Sequence, residues 1–379
     1  MLVAHLADTH LGYRQYNLEE RELDFYEAFR EAVDRVVEEH VDVLVHAGDF
    51  FEEPRPPVRA LYEAKQQLAR LKDHGVRVYA VLGDHDLPKR RGMPPHDLFA
   101  GHMATLGLEV DHDVVELGGS RLLVAGLHHH PHRFRERLRE GLSRLAKLAD
   151  EHSRSVLILH QSIDRFLPFE YELSFDELPT SFSYVAMGHV HRRGSAWLHR
   201  TLVSYAGSLE VARRDEVKAW REVGKGFFIV DLGGDEPTLH RVDLGCVRPQ
   251  LEASVRYEGL RQGLARLAEE ARGCRKPPIV HLRVEGAQVD RRKVYEEAQA
   301  ALLPHVLAWR LEVAEEAAEV ASYELKGGLD YRQLFKEVLR DEEAASLAYE
   351  LFKLLKDPAK VEEAKKLVEE YYQRWSGRS

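Results

Sequence analysis

Apolar residues in the first half of the chain follow two alternating patterns. Short runs bounded by turn residues or charge read as buried strands: Leu2 to Ala7, Val41 to Ala47, Val76 to Leu82, Arg121 to Leu127, Ser155 to His160 and Tyr184 to Val190. Between the first two, Leu23, Tyr26, Phe29, Val33, Val36 and Val37 recur at three- and four-residue intervals and mark one helix face. Strands alternating with helices predict a layered α/β core, where ligands bind beyond the carboxyl ends of the strands. From Thr201 the pattern changes to LVSYAG, KGFFIVDL and TLHRVDL, with a turn at Gly233-Gly234-Asp235. These are strands without intervening helices, and they predict a hairpin-rich layer closing the core.

A new unit starts at Arg248-Pro249. LEASVRY, an amphipathic segment from Gly259 to Ala271, PIVHLRV after Pro277-Pro278, a helix from Asp290 to Leu303 and HVLAWRLEV make a βαβαβ pattern, that of a small α+β domain. After Lys326-Gly327-Gly328 only helical signals remain, in Leu329 to Leu339, Leu347 to Leu355 and Val361 to Trp375. Such short helices are marginal alone and need something to pack on. The expected organisation is therefore residues 1–247, 248–325 and 328–379.

Composition narrows the function classes. With 31% charged and 44% hydrophobic residues the chain is globular rather than disordered or fibrous. Basic residues number 54 against 64 acidic, and a net charge of -10 argues against wrapping nucleic acid with the whole surface, leaving room only for a local basic strip. Cys246 and Cys274 have no close spacing, so neither a disulfide framework nor a thiolate zinc site is indicated and a reducing compartment is the simpler reading. The start lacks a basic, apolar leader and no stretch is long and apolar enough to span a bilayer. The expectation is a cytoplasmic protein with no membrane partner.

Chemistry concentrates where the predicted strands end. In order these ends carry Asp8-Thr9-His10, Gly48-Asp49, Gly83-Asp84-His85-Asp86, His160 and Gly188-His189-Val190-His191. Carboxylates and imidazoles gathered at one end of a layered sheet suit a shared pair of divalent cations, with a carboxylate bridging them. The i, i+2 spacing of Asp8/His10 and His189/His191 puts both side chains on one side of an extended segment. A phosphodiester is anionic and resists attack; two cations roughly 3.5–4 Å apart clamp its oxygens and lower the pKa of a bound water. Nitrogen and carboxylate donors without thiolate favour manganese, iron or zinc over copper(I) or iron–sulfur centres.

The ordered set DxH, GD, G(N/D)HD, H and GHxH resembles the calcineurin-like metallophosphoesterases. Within them, Asp8-Thr9-His10-Leu11-Gly12 followed by Ala47-Gly48-Asp49-Phe50-Phe51 is similar to the SbcD or "meiotic recombination eleven" DNA-repair nucleases. The resemblance covers about the first 325 residues and is positional only for the C-terminal helices. It implies a four-layer α/β/β/α core, a small α+β capping domain over DNA and a helical tail. It implies one metal held by Asp8, His10, Asp49 and His191 and a second by Asp49, Asp84, His160 and His189, most commonly Mn2+. His85 would stabilise the transition state or protonate the leaving oxygen, with Asp86 orienting it. The implied activity is 3′-to-5′ exonuclease and single-strand endonuclease processing of DNA ends in double-strand-break repair. Implied partners are double- and single-stranded DNA, a second copy of the chain, and an SbcC or "Rad-fifty"-like coiled-coil ATPase docked on the C-terminal helices; the location would be the nucleoid of a prokaryotic cytoplasm. Two positions depart from the family pattern: Asp84 stands where Asn is usual, adding a third carboxylate, and Glu52 stands where some members carry a histidine.

Flanking residues extend the DNA reading. Lys89, Arg90 and Arg91 follow His85 closely and are candidate phosphate contacts, and Tyr13, Arg14 and Tyr16 just after the first motif are candidates to stack on or contact DNA. Solvated-loop or packing roles explain these residues as well. Arg133, Arg135, Arg137 and Arg139 would spread around a helix rather than form one strip, and His128 to His132 are expected at a strand end flanking the site. Two other readings stay open: a phosphodiesterase of small substrates using the same centre, and a weakly catalytic DNA-end scaffold for the ATPase. The capping unit and the basic loop favour DNA.

Overall fold

The computed structural model describes residues 1–88, 92–315, 335–336, 338–339, 341–355 and 361–376. Strands buried on both faces build its core. In β1 (Leu2–Leu6) and β2 (Val43–His46), Val3, Val43 and Val45 point to one side while Ala4, Leu6 and Leu44 point to the other. That is the two-residue period of a pleated strand, and it explains why these segments read as continuous apolar runs. With β3 (Arg77–Val81), β4 (Ala104–Leu106), β11 (Gly226–Asp231) and β12 (Thr238–Asp243) they form a sheet of order β12-β11-β1-β2-β3-β4. β1 to β4 are parallel neighbours, so their carboxyl ends share one edge.

The second sheet, β5-β6-β7-β8-β10-β9, comprises His112–Leu117, Ser120–Leu127, Ser155–His160, Tyr184–Gly188, Thr201–Tyr205 and Gly194–Leu198 in that spatial order. β6, β7, β8 and β10 are parallel. Val3, Val45 and Val81 of the first sheet pack on Val124, Ile158 and Ala186 of the second. Helices α1 (Glu19–Glu38) and α2 (Val58–Asp73) cover the other face of the first sheet, with Phe29, Val33, Leu68 and Leu71 against Leu44 and Ala80. Helix α3 (Arg135–Ala149) covers the second through Leu138, Leu142 and Leu145. The layering is α/β/β/α, as the sequence predicts.

Two details correct the sequence reading after Thr201. A helix, α4 (Glu216–Val223), interrupts the expected run of strands. The β11–β12 hairpin, moreover, completes the first sheet beside β1 rather than the second layer. The signal for α4 was short but present: Val217 and Trp220 are three apart, both pack on the core, and Gly224 ends the helix at φ 63°.

A third sheet, β13-β14-β15, runs through Gln250–Arg256, Ile279–Gly286 and Ala308–Glu315, with α5 (Leu260–Arg272) and α6 (Arg291–Leu302) packed around its own apolar cluster of Leu264, Leu267, Leu282, Val294 and Leu302. It belongs with the two larger sheets to one compact unit, Met1–Ala314. The joint is ionic and buried: Arg248 Nη2 meets Asp24 at 2.9 Å, Asp24 also takes Arg21 at 2.6 Å, and Lys276 reaches Glu27 at 2.7 Å. Arg21 is fully buried, and its remaining donors go to Gln15, Glu210 and the Val211 carbonyl. A charge placed so deep is tolerated because each of its three nitrogens finds an acceptor and two carboxylates stand beside it.

The second compact unit, Glu315–Ser379, contains α7 (Glu342–Leu354) and α8 (Val361–Ser376). Asp341 caps α7 by accepting from the Ala344 N–H at 2.7 Å. The two helices contact one another, Ala345 and Ala364 are buried, and Val338, Val368 and Tyr372 stay exposed. Gly327 and Gly328 lie outside the described residues. No helix among the described residues is long and apolar enough to cross a membrane.

A buried histidine makes polar contacts from the first large sheet to the second. His5 of β1 sits fully buried with Nδ1 2.7 Å from Tyr184 Oη and Nε2 3.1 Å from the Met187 carbonyl. Burial pushes its pKa down to about 3, against a partial opposing effect of the Met187 carbonyl, so the fold holds it neutral. The unfolded chain takes up this proton near pH 6.5 and the folded one only near pH 3. Stability from this residue is therefore complete above pH 6.5 and falls away as pH drops toward 3. His5→Gln should flatten the pH dependence of the denaturant midpoint across that window in chelator-treated protein; an unchanged slope would refute the assignment.

Candidate metal centre

The parallel registers bring five strand ends to one rim. Asp8 and His10 follow β1, Asp49 follows β2, Asp84 follows β3, His160 ends β7, and His189 and His191 follow β8. All seven predicted metal-competent residues converge there. Asp8 is pinned by the His189 N–H at 3.0 Å, Asp49 by the His85 N–H at 3.0 Å, and the His10 N–H reaches the Asp49 carbonyl at 3.0 Å. Asp8, His10, Asp49 and His189 have φ between 47° and 90°, a region costly for residues with a Cβ. The surrounding turns leave no alternative: a Cβ on Gly83 would stand 2.0 Å from Asp49 Oδ1, and one on Gly188 1.9 Å from the Ala47 oxygen.

Donor atoms face inward in two groups that share Asp49. His10 Nε2 lies 3.1 Å from His191 Nε2 and 3.8 Å from Asp49 Oδ2, and Asp8 Oδ1 is 3.8 Å from His191 Nε2. On the other side His160 Nε2 is 3.4 Å from Asp49 Oδ2 and 3.1 Å from Asp84 Oδ1, and His189 Nδ1 is 3.2 Å from that same Asp84 oxygen.

The far nitrogen of each ring fixes which form it takes. His10 Nδ1 is 2.8 Å from Glu52 Oε2, His191 Nδ1 is 2.7 Å from Glu216 Oε1, and His160 Nδ1 is 2.7 Å from the Ala47 carbonyl. Each partner accepts, so each Nδ1 carries a hydrogen and each ring turns its Nε2 inward. The Nε2 atoms of His10 and His191, 3.1 Å apart, stay so close only with positive charge between them, a proton or a cation.

The electrostatics point the same way. Burial opposes a charge on His10, but the Glu52 hydrogen bond and the Asp49, Glu52 and Asp8 carboxylates outweigh it and push its pKa up to about 9. His160 is likewise raised well above the ordinary value, against burial, by Asp49 and Asp84. Asp49 and Asp84, despite burial, are held well below the usual carboxylate range by the histidines. Glu216 is held low, again against burial, by Lys225 at 2.6 Å and by His191. The bay thus demands cationic charge, and its oxygen and nitrogen donors fit borderline divalent ions. Asp8, His10 and His191, and separately Asp8, Asp49 and His160, have donor atoms close enough to share one ion.

His85 stands at the rim, part exposed, with its Nδ1 donating to the Glu52 carbonyl at 2.8 Å and its ring edge-on to His10. Its Nε2 is therefore the atom offered to a substrate. Asp86 is a correction to the sequence reading. It is fully buried, accepts from the N–H groups of Phe50, Phe51 and Gly83 at 3.2, 2.9 and 3.0 Å, and has His96 at 3.9 Å. Asp86 ties the Asp49 loop to the Asp84 loop, while Glu52 anchors His85.

Glu52 and Glu216 are the residues that sequence reasoning missed as partners of the ligands. Glu216 comes from α4, the helix it also missed. Tyr13 packs edge-on against Phe25 with its N–H on the His10 carbonyl, Arg14 is exposed, and Lys89, Arg90 and Arg91 lie outside the described residues. The arginines around α3 divide: Arg135 and Arg139 pair with Glu177, whereas Arg133 and Arg137 flank the exposed Phe134 ring at 4.9 and 5.4 Å. Beside His189 and His191 opens a cleft of about 560 Å³, lined also by Phe166, Leu167, Arg213 and Lys218.

Comparison with known proteins places this architecture. Residues 1–193 match the calcineurin-like phosphoesterase family. The chain is similar to the DNA double-strand break repair protein Mre11 of Methanocaldococcus jannaschii, at 33% identity over 284 residues, 74% of this chain and 75% of that protein. Its counterparts in Sulfurisphaera tokodaii, at 34% with 78% and 76% covered, and in Saccharolobus solfataricus, at 33% with 78% of each, align over similar spans. By this likeness, and with its aspartates and histidines gathered at one rim of an α/β/β/α core, the chain belongs to the Mre11 family of calcineurin-like phosphoesterases.

Proposed function

We propose that this chain is the metal-dependent nuclease of a DNA double-strand-break repair system, cleaving phosphodiesters with two divalent cations, Mn2+ foremost. The observation that carries this reading is the pair of inward donor groups sharing Asp49, with the Nε2 atoms of His10 and His191 3.1 Å apart. Asp8, His10, Asp49 and His191 would hold one ion, and Asp49, Asp84, His160 and His189 the other. When bound, such a pair neutralises phosphate charge and brings the pKa of water toward neutrality.

The chain's own groups supply the rest. His85, anchored through Nδ1 on the Glu52 carbonyl, presents Nε2 to the phosphate and, as the imidazolium, donates the Nε2 proton to the departing sugar oxygen, leaving the neutral ring. Glu52 and Glu216 keep His10 and His191 in the form that offers Nε2 inward. Arg213 and Lys218 line the adjoining cleft and, with exposed Arg14, Arg133 and Arg137 and with Lys89, Arg90 and Arg91, supply local positive charge for a DNA backbone on a chain that is acidic as a whole. The finer assignment is 3′-to-5′ exonuclease and single-strand endonuclease action on DNA ends. The chain would work as a homodimer, with residues 248–325 capping DNA and the helices of 328–379 docking a coiled-coil ATPase of the "Rad-fifty" kind through their apolar faces.

Purified chain incubated with linear duplex DNA or a small phosphodiester, in Mn2+, Mg2+ or chelator, tests the reading. Mn2+-dependent DNA degradation that falls by at least ~100-fold in Asp49→Ala and His85→Ala is expected. Hydrolysis of the small ester alone would replace this reading with a small-substrate phosphodiesterase, and metal uptake without hydrolysis would favour a scaffold. Asp49→Ala should also lose metal, whereas His85→Ala should keep it.

Glu216→Gln should weaken metal binding by ~10–100-fold in calorimetric titration, since it loosens the His191 ring, and should also lower stability, since it leaves Lys225 buried without its counter-charge. Reversing charge at Arg213 and Lys218 together should weaken DNA binding and make its logarithmic salt dependence shallower by about one to two. Unchanged affinity in that double variant would remove the cleft from the DNA path.

A further inference from the structure

His129 follows β6 and lies at the centre without a role in the assignments above. Its side chain is buried, and its Nδ1 stands 3.0 Å from the His160 carbonyl. A carbonyl only accepts, so Nδ1 carries the hydrogen and Nε2 presents a lone pair that bonds to no described residue. This is the arrangement of His10, His160 and His191, each anchored through Nδ1 and presenting Nε2. The ring lies nearly parallel to that of His189, 5.7 Å between centroids at 23°, so the two imidazoles stand side by side at the same bay. One donor atom from each of Asp84, His129 and His189 falls within 4.8 Å of the others. Two ligands on opposite sides of one cation stand about 4.2 Å apart, given bonds of about 2.1 Å, so small side-chain shifts bring all three onto one ion.

We propose that His129 is a further ligand of the cation held by Asp84 and His189, giving that position a fifth protein donor beside Asp49, Asp84, His160 and His189. The proposal rests on the two-cation reading above. The consequence is asymmetry between the two positions. The Asp84 side gains a nitrogen donor and loses an open place for water, which raises its preference for cobalt or zinc relative to manganese.

The full chain loaded with Co2+ tests this in water by proton NMR, because the exchangeable ring N–H of each ligating histidine is shifted far outside the ordinary spectrum. Five such signals are expected, from His10, His129, His160, His189 and His191. In His129→Gln one should vanish, and one of the two cobalt-binding steps should lose ~10-fold or more in affinity while the other stays. Four signals in the unmodified chain, or an unchanged number in His129→Gln, would overturn the ligand role and leave the two-cation reading standing. Equilibrium dialysis separates the two failures: fewer than two cobalt ions per unmodified chain would overturn both. The count in the unmodified chain decides the matter even if the variant folds poorly.

Discussion

Asp8, Asp49 and Asp84 converge on a bay where the Nε2 atoms of His10 and His191 stand 3.1 Å apart and where Asp8, His10 and Asp49 are buried. Left to themselves these groups would separate, because burial strengthens every like-charge contact. The fold holds them through the main chain. The Asp8 carboxylate takes the His189 N–H, Asp49 takes the His85 N–H, and buried Asp86 takes three N–H groups from two loops. The left-handed backbone at Asp8, His10, Asp49 and His189 is the geometric trace of that constraint.

A second tier of acceptors decides what the first tier offers. Imidazole has two nitrogens and only one can face a cation, so the partner of the other selects the donor. Glu52, Glu216 and the Ala47 carbonyl make that selection for His10, His191 and His160. Glu216 in turn is held ionised by buried Lys225, which also reaches the His191 carbonyl at 3.1 Å. Helix α4, eight residues long, is thus the support through which the start of β11 in the first sheet positions a residue after β8 of the second.

The first tier was legible in the sequence because it depends on topology. Parallel strands carry their following residues to one rim, so Asp8, His10, Asp49, Asp84, His160, His189 and His191 could be gathered from order and strand ends alone. The βαβαβ pattern after Arg248 was legible for the same reason, since its apolar periods are long and bounded by Pro and Gly. The second tier depends on side-chain reach across tens or hundreds of residues, and no local pattern encodes that. Glu52 looked like a departure from a motif, and Glu216 sat in RRDEVKAW, where charge hid a two-turn helix. Asp86 was misread because adjacency in sequence suggested contact with His85, yet successive residues in a turn point apart.

Asp86 also explains why a motif of this kind ends in a carboxylate at all. The loops after β2 and β3 carry Asp49 and Asp84, and each turn leaves main-chain N–H groups with no strand partner. Burying such donors unpaired costs about 1–3 kcal/mol each. One carboxylate between the loops satisfies three, from Phe50, Phe51 and Gly83, and so fixes the spacing of the two metal-facing aspartates without touching either. Burial and the nearby Asp49 push the Asp86 carboxyl up, against the His96 ring and the Phe51 and Gly83 N–H groups. A neutral amide there could accept as well, but its NH2 would need acceptors that Phe50, Phe51 and Gly83 do not supply. The residue that sets the width of the bay is therefore one that never faces it.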